Sequence, residues 1–139
     1  MKELSELIRG EMSAVKSIDT VLGKIKDTKD QETLRSLRED HVRAIDRLKQ
    51  FAGSDFSMNE EVNSSGPWGS FASAFTGGAS FFGDKAAIKA LKVGEEHGVN
   101  EYRELLKNSD ISPEIRQVVE SELLPQQERH LSTINRYLQ

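Results

Sequence analysis

The sequence predicts an all-α protein: one four-helix bundle with a long crossover between its second and third helices. Three observations carry this. Four segments repeat apolar residues at steps of three and four, the period of one helix face. Short polar turns join the first segment to the second and the third to the fourth, so each pair forms an antiparallel hairpin. Between the hairpins lies a glycine- and aromatic-rich stretch, residues 53–83, long enough to run the length of the bundle. That length sets the second and third helices parallel, the one-crossover connection.

The first helix is predicted over about residues 3–26, with Leu4, Ile8, Glu11, Val15, Ile18, Leu22 and Ile25 on its core face. Residues 27–30 read as a turn, and Thr28 with Gln31 has capping-box spacing. The second helix, about 29–52, faces the core with Leu34, Leu37, His41, Ala44 or Ile45, Leu48 and Phe51, and Gly53 stops it. Asp84 reads as the N-cap of the third helix, about 84–107, whose stripe is Ile88, Leu91, Glu95, Gly98 or Val99, Tyr102 and Leu105. Ser112-Pro113-Glu114 supplies the cap, N1 proline and first-turn acid of the fourth helix, about 112–138. Its stripe is Ile115, Val119, Leu123, Gln126, His130, Ile134 and Tyr137, and Pro125 within it must kink it or remove a hydrogen bond.

The crossover carries Trp68, Phe71, Phe75, Phe81 and Phe82 among its glycines and serines. A flexible linker is aromatic-poor, so this segment is expected to pack. Ser65 and Pro67 can open a short helix bearing Trp68, Phe71 and Phe75 on one face. These aromatics form either a cover over two helices or a partner surface, including a second copy of the chain. A lipid surface is the weaker reading, because the segment lacks the lysines and arginines of an interfacial anchor.

The 139 residues suit a single domain, taken here as 1–139, with 36% hydrophobic and 30% charged residues. A net charge of -4, with both signs interspersed, offers no basic patch for nucleic acid. The chain has no cysteine, which excludes disulfides, thiolate catalysis, iron–sulfur clusters and cysteine zinc sites. It begins with charged amphipathic sequence rather than an apolar leader, and no stretch reaches the ~20 apolar residues of a membrane span. A cytoplasmic protein is expected. The serines lack a partnered histidine and acid, and the glycines lack the Gly-Lys-Ser/Thr of a phosphate loop, so no catalytic residue is assigned.

Each helix sets one ligand-type residue in its apolar stripe: Glu11, His41, Glu95 and His130. Buried charge is normally paired or metal-bound. The di-iron pattern of four-helix bundles takes a Glu from two helices and Glu-x-x-His from the other two. Here the single Glu and the His fall on helices in that order, but Arg38 and Gln127 stand three residues before His41 and His130 where Glu belongs. Three readings follow. Glu11, His41, Glu95 and His130 bind one ion of iron, manganese or zinc. Alternatively, the Arg38 guanidinium neutralises Glu11 and Glu95 in place of metal, with Gln127 completing a core polar network. In the third, some of these residues sit at stripe edges and reach water.

The chain also resembles a bacterial family of ferritin-like four-helix-bundle proteins known only as a domain of unknown function. The resemblance spans roughly residues 4–138 and rests on Ser65-Gly66-Pro67-Trp68-Gly69-Ser70, Ala74-Phe75-Thr76-Gly77-Gly78, Ala90 to Glu96 with Tyr102, Pro113 to Arg116, and Gln127-Glu128-Arg129-His130. It implies the ferritin-like fold and no activity. More distantly the chain is similar to rubrerythrin and bacterioferritin bundles, whose full ligand set it lacks.

The expected function is a non-catalytic structural or interaction module with a degenerate di-metal site and no cofactor, an ion of iron, manganese or zinc being the alternative. The alternatives are a metal-binding or redox protein of the rubrerythrin and bacterioferritin type, and a membrane-surface or stress-associated module that uses the crossover. His97 lies off the stripe and reads as a solvated residue. Gly10, Gly94 and Gly98 each cost a helix about 1 kcal/mol against Ala. They mark either tight packing or space for a ligand beside Glu11 and Glu95.

Overall fold

A computed structural model of the protein describes residues 2–52 and 84–138. The predicted crossover, its short helix, and Trp68, Phe71, Phe75, Phe81 and Phe82 lie outside the described residues. Among those described are four helices and no strand: α1 (Lys2–Leu22), α2 (Thr28–Ala52), α3 (Asp84–Leu106) and α4. Helix α4 runs as Pro113–Val118, a π turn at Val119–Leu123, and Leu124–Leu138. None is long and apolar enough to cross a membrane.

Helix α1 ends four residues before its predicted limit, because Gly23 opens the turn. Gly23 N–H still reaches Asp19 O at 3.2 Å, while Lys24 and Ile25 both donate to Val21 O. The chain then turns so that Ile25 stays buried. The α2 cap is not the predicted Thr28–Gln31 box. Asp27 Oδ1 accepts from Asp30 N–H at 3.0 Å, and Gln31 Nε2 reaches back to Ile25 O at 2.8 Å. The start of α4 is as predicted, with Ser112 Oγ accepting from Ile115 N–H at 3.2 Å ahead of Pro113. Arg116 donates to Leu106 O and Asn108 O, which satisfies carbonyls left open at the end of α3.

Pro125 explains the π turn. In an α-helix its ring would press on the carbonyl four residues back and its missing N–H would leave a gap. The wider turn just before it absorbs both, and Leu124 donates five residues back to Val119 O. The π turn also resets the buried face. Steps of four drift by about 40° each in a uniform α-helix. Here Val119, Leu123 and Gln127 are all buried at such steps. Gln127 therefore faces the core where Gln126 was expected, and Gln126 reaches Asp40 O at the rim.

The core has two apolar clusters. One joins Leu4, Leu7 and Ile8 of α1 to Ala44 and Leu48 of α2, Tyr102 and Leu105 of α3, and Ile115 and Val119 of α4. The other joins Ala14, Ile18 and Val21 to Leu34, Leu37, Ala87, Ile88, Leu91 and Ile134. The start of α1 thus meets the end of α3, so these helices are antiparallel, whereas α2 runs parallel to α3 and α1 to α4. Ala52 and Asp84 lie toward opposite ends of the bundle. Between the clusters every helix contributes polar side chains: Glu11, His41, Glu95, Gln127 and His130, all buried.

Candidate functional site

His41 stands at the centre of this polar layer, 1% exposed. Its Nδ1 lies 2.5 Å from Glu11 Oε2 and its Nε2 lies 2.8 Å from Glu95 Oε1. The remaining carboxylate oxygens also have donors. Tyr102 OH donates to Glu11 Oε1 at 2.5 Å, and Gln127 Nε2 donates to Glu95 Oε2 and to Glu95 O. The chain Tyr102–Glu11–His41–Glu95–Gln127 thereby draws on α1, α2, α3 and α4.

A neutral imidazole carries only one N–H, so one of its nitrogens would meet a carboxylate lone pair to lone pair. The geometry fits an imidazolium donating to both acids. Burial opposes that charge, but the Glu95 and Glu11 carboxylates outweigh it and hold His41 well above its usual value. Burial likewise opposes the Glu95 charge, and His41 with His130 overcomes it, lowering Glu95 to about 2. Tyr102, buried against Glu11, is pushed up and stays a donor.

His130 completes the layer differently. Its Nε2 lies 2.9 Å from Asp40 Oδ2, and the other Asp40 oxygen accepts from Arg43. Its Nδ1 is buried, 3.7 Å from Glu95 Oε2, and has no hydrogen-bond partner. In the tautomer that carries its proton on Nε2, toward Asp40, Nδ1 is left as a lone pair able to hold a cation. The His41 and His130 rings lie 4.8 Å apart between centroids, inclined at 59°. One donor atom from each of His41, Glu95 and His130 lies within 4.8 Å of the others. Donors on one ion at bond lengths near 2.2 Å sit within roughly 4.4 Å of each other, so this group fits a cation after a small contraction.

The four ligand-type residues read from the stripes are thus brought together, and Gln127 joins them. Arg38 does not. Its guanidinium pairs with Asp19 at 2.5 and 3.2 Å at the outer α1–α2 seam, with its side chain 39% exposed. Burying it would strip the guanidinium of water, and Asp19 offers a solvated partner instead. The replacement of metal by Arg38 is therefore set aside, and the cation between Glu11 and Glu95 is His41. His97, expected in solvent, is half-buried with its Nε2 3.2 Å from Glu101 Oε1. Burial lowers His97, and burial together with Glu11 and Glu6 raises Glu101 to about 7, so this pair is weaker than its separation suggests.

Asp40, Glu101 and the role of the Tyr102 hydroxyl were not read from the sequence. Asp40 lies off the α2 stripe and carries no periodic signal. Glu101 had one usable signal, its place four residues after His97 on the same helix face.

Two glycines admit polar side chains to the layer. A Cβ on Gly98 would lie 2.5 Å from Gln127 Nε2, and one on Gly10 would lie 3.1 Å from Glu101 Oε1. Gly98→Ala is expected to displace the Gln127 amide and leave Glu95 Oε2 without its donor. An unsatisfied buried acceptor costs about 1–3 kcal/mol, against roughly 1 kcal/mol gained in helix propensity. The expected melting temperature is lower than wild type, while Gly10→Ala, whose neighbour can swing outward, stays level or rises. A stabilised Gly98→Ala protein would show that the amide contributes nothing. Beside these glycines a cavity of about 10 Å³, room for one water, is lined by Glu11, His41, Glu101, Tyr102 and Gln127.

Comparison with known protein families, with curated proteins and with solved structures gave no match. The resemblance to ferritin-like bundles therefore rests on its residues alone.

Proposed function

We propose that the protein is a ferritin-like bundle that holds one divalent transition-metal ion in its polar layer. Its ligands are Glu95, His130 Nδ1 and His41 Nε2, which gives up its proton to solvent when the ion binds. The observation that carries this reading is the buried, unpartnered Nδ1 of His130. Metal-ligating histidines commonly donate their other nitrogen to a carboxylate. Asp40 serves His130 in that way and Glu11 serves His41. Glu11 is thereby reassigned from ligand to orienting carboxylate. A nitrogen-rich set with one carboxylate suits zinc, iron or manganese. Arg38 and Gln127, in place of the two missing acids, favour a single ion over a pair. The parallel course of α2 and α3 supports the ferritin-like connection. The adjoining space takes one water, which favours a non-catalytic, metal-holding module over an enzyme acting on an organic substrate.

Thermal unfolding of metal-free protein with zinc(II), manganese(II) or iron(II) tests this. A ligand at 100 times its dissociation constant adds about 2.7 kcal/mol, several degrees for a domain of this size. The shift is expected with at least one ion, to vanish in His130→Ala, and to need 10- to 100-fold more metal in Asp40→Asn. No shift with any ion favours a second reading, which the closed hydrogen-bond chain supports. Tyr102, His41 and Gln127 satisfy all four oxygens of Glu11 and Glu95 without metal. The module would then be structural, and its partners would be sought at the crossover aromatics.

A further inference from the structure

We propose that divalent cations reach the polar layer between α1 and α3, past Gly10, with Glu101 as the half-buried carboxylate that passes them from the outer hollow to the site. This rests on the metal-binding reading above and adds the route. The small cavity beside Glu11 and His41 is lined also by Gly10, Gly98 and Glu101. A second hollow of about 170 Å³ lies outside it and is lined by Glu6, Glu101, Glu104 and Asn108. Leu7 and Glu101 line both, so Glu101 has the inner site on one side and the surface on the other. Gly10 makes this possible, since a side chain there would crowd the Glu101 carboxylate.

Charge sets this face apart from the other hollows. Among the described residues no lysine or arginine lines either α1–α3 hollow, although Lys107 pairs with Glu104 at its edge. The hollow between α2 and α4 sets Arg43 and Arg47 beside Asp46 and Glu122, and that between α3 and α4 sets Arg103 beside Glu96 and Glu128, whereas the outer α1–α3 hollow has Glu6, Glu101 and Glu104. A cation is repelled by guanidinium groups and concentrated by carboxylates. The two ends of the layer are closed by the apolar clusters. A half-buried carboxylate between water and the site lets an ion exchange its hydration for protein oxygens in steps, rather than shed it at once.

The test is the rate of metal uptake, followed by stopped-flow mixing of metal-free protein with cobalt(II) or zinc(II) at pH 8. Glu101→Gln and Glu101→Leu are expected to load about tenfold more slowly than wild type, the lower end of electrostatic focusing effects. Stoichiometry stays the same and release slows in parallel, because Glu101 is not a ligand of the bound ion. Both variants remove a half-buried acid and are expected to melt no lower than wild type. Uptake at the wild-type rate in both would overturn the route while leaving the metal site intact. Slow uptake with lost stoichiometry would also overturn it, making Glu101 a ligand. No uptake by wild-type protein takes down the metal-binding reading, and the route with it.

Discussion

His41→Leu is expected to destabilise the metal-free protein by about 3–5 kcal/mol, the effect of removing one partner from a buried ion pair. The substitution keeps an apolar side chain of similar bulk, so the loss is electrostatic rather than a cavity. Glu11 and Glu95, at 6% and 0% exposure, then remain in the core without the cation that both of them contact. For a domain between the usual size classes this is a fall in melting temperature of roughly 10–20 °C, read by calorimetry or circular dichroism. Adding Glu11→Gln and Glu95→Gln to His41→Leu should recover part of the loss, because residues in one network do not act additively. A His41→Leu protein that melts within a few degrees of wild type would mean that His41 is not the cation of this layer.

Acid is expected to unlock the same layer. The Glu95 carboxyl ionises at about 2 in the folded protein against an ordinary 4.5. The unfolded chain therefore takes up a proton between pH 4.5 and 2 that the folded chain does not, and stability falls as pH falls through that window. The loss is on the order of 3 kcal/mol when complete. His41 acts in the opposite sense. Its folded value is raised, so its contribution is full below about pH 6.5 and is lost as pH rises through the folded value. The two shifts describe one pair seen from its two ends and are counted once. Near neutrality the raised Glu101 and the lowered His97 oppose each other. Urea titrations of metal-free protein at pH 5 and pH 3 should show most of the acid loss in wild type. In Glu95→Gln the interval should be nearly flat. Equal stability of the wild type at the two pH values would contradict the ionised Glu95.

The helices and four of the polar core residues were legible because both are periodic. A charged residue inside an apolar stripe stands out, and Glu11, His41, Glu95 and His130 do so at the same depth on four helices. Periodicity resolves a face only to within a residue or so, and the unread features lie below that resolution. Asp40 and His41 are neighbours, yet Asp40 meets His130 while His41 meets Glu11 and Glu95, because adjacent residues diverge by about 100° around the helix axis. Arg38 lies three residues before His41, but its long side chain pairs with the solvated Asp19 instead of entering the core. Gln127 replaces Gln126 on the core face because the π turn shifts the face by one residue, and Pro125 predicted a disturbance without saying which kind. Glycine positions carried a signal too, but only the neighbouring Gln127 and Glu101 show what the missing side chains make room for.

The parallel course of α2 and α3 has a bearing on how the molecule assembles. Glu11 and His41 belong to the first hairpin, and Glu95, Tyr102, Gln127 and His130 to the second. The first hairpin can pair Glu11 with His41 by itself, but Glu95 of the second finds its cation 54 residues away, and Glu11 its hydroxyl donor 91 residues away. Each hairpin can form early from local contacts, but closing the larger loops between them comes later. A loosely associated pair of hairpins would bury charge before pairing it, which is the costliest arrangement available. The polar layer thus penalises half-docked states more than it strengthens the finished one, and makes docking of the two halves an all-or-none event.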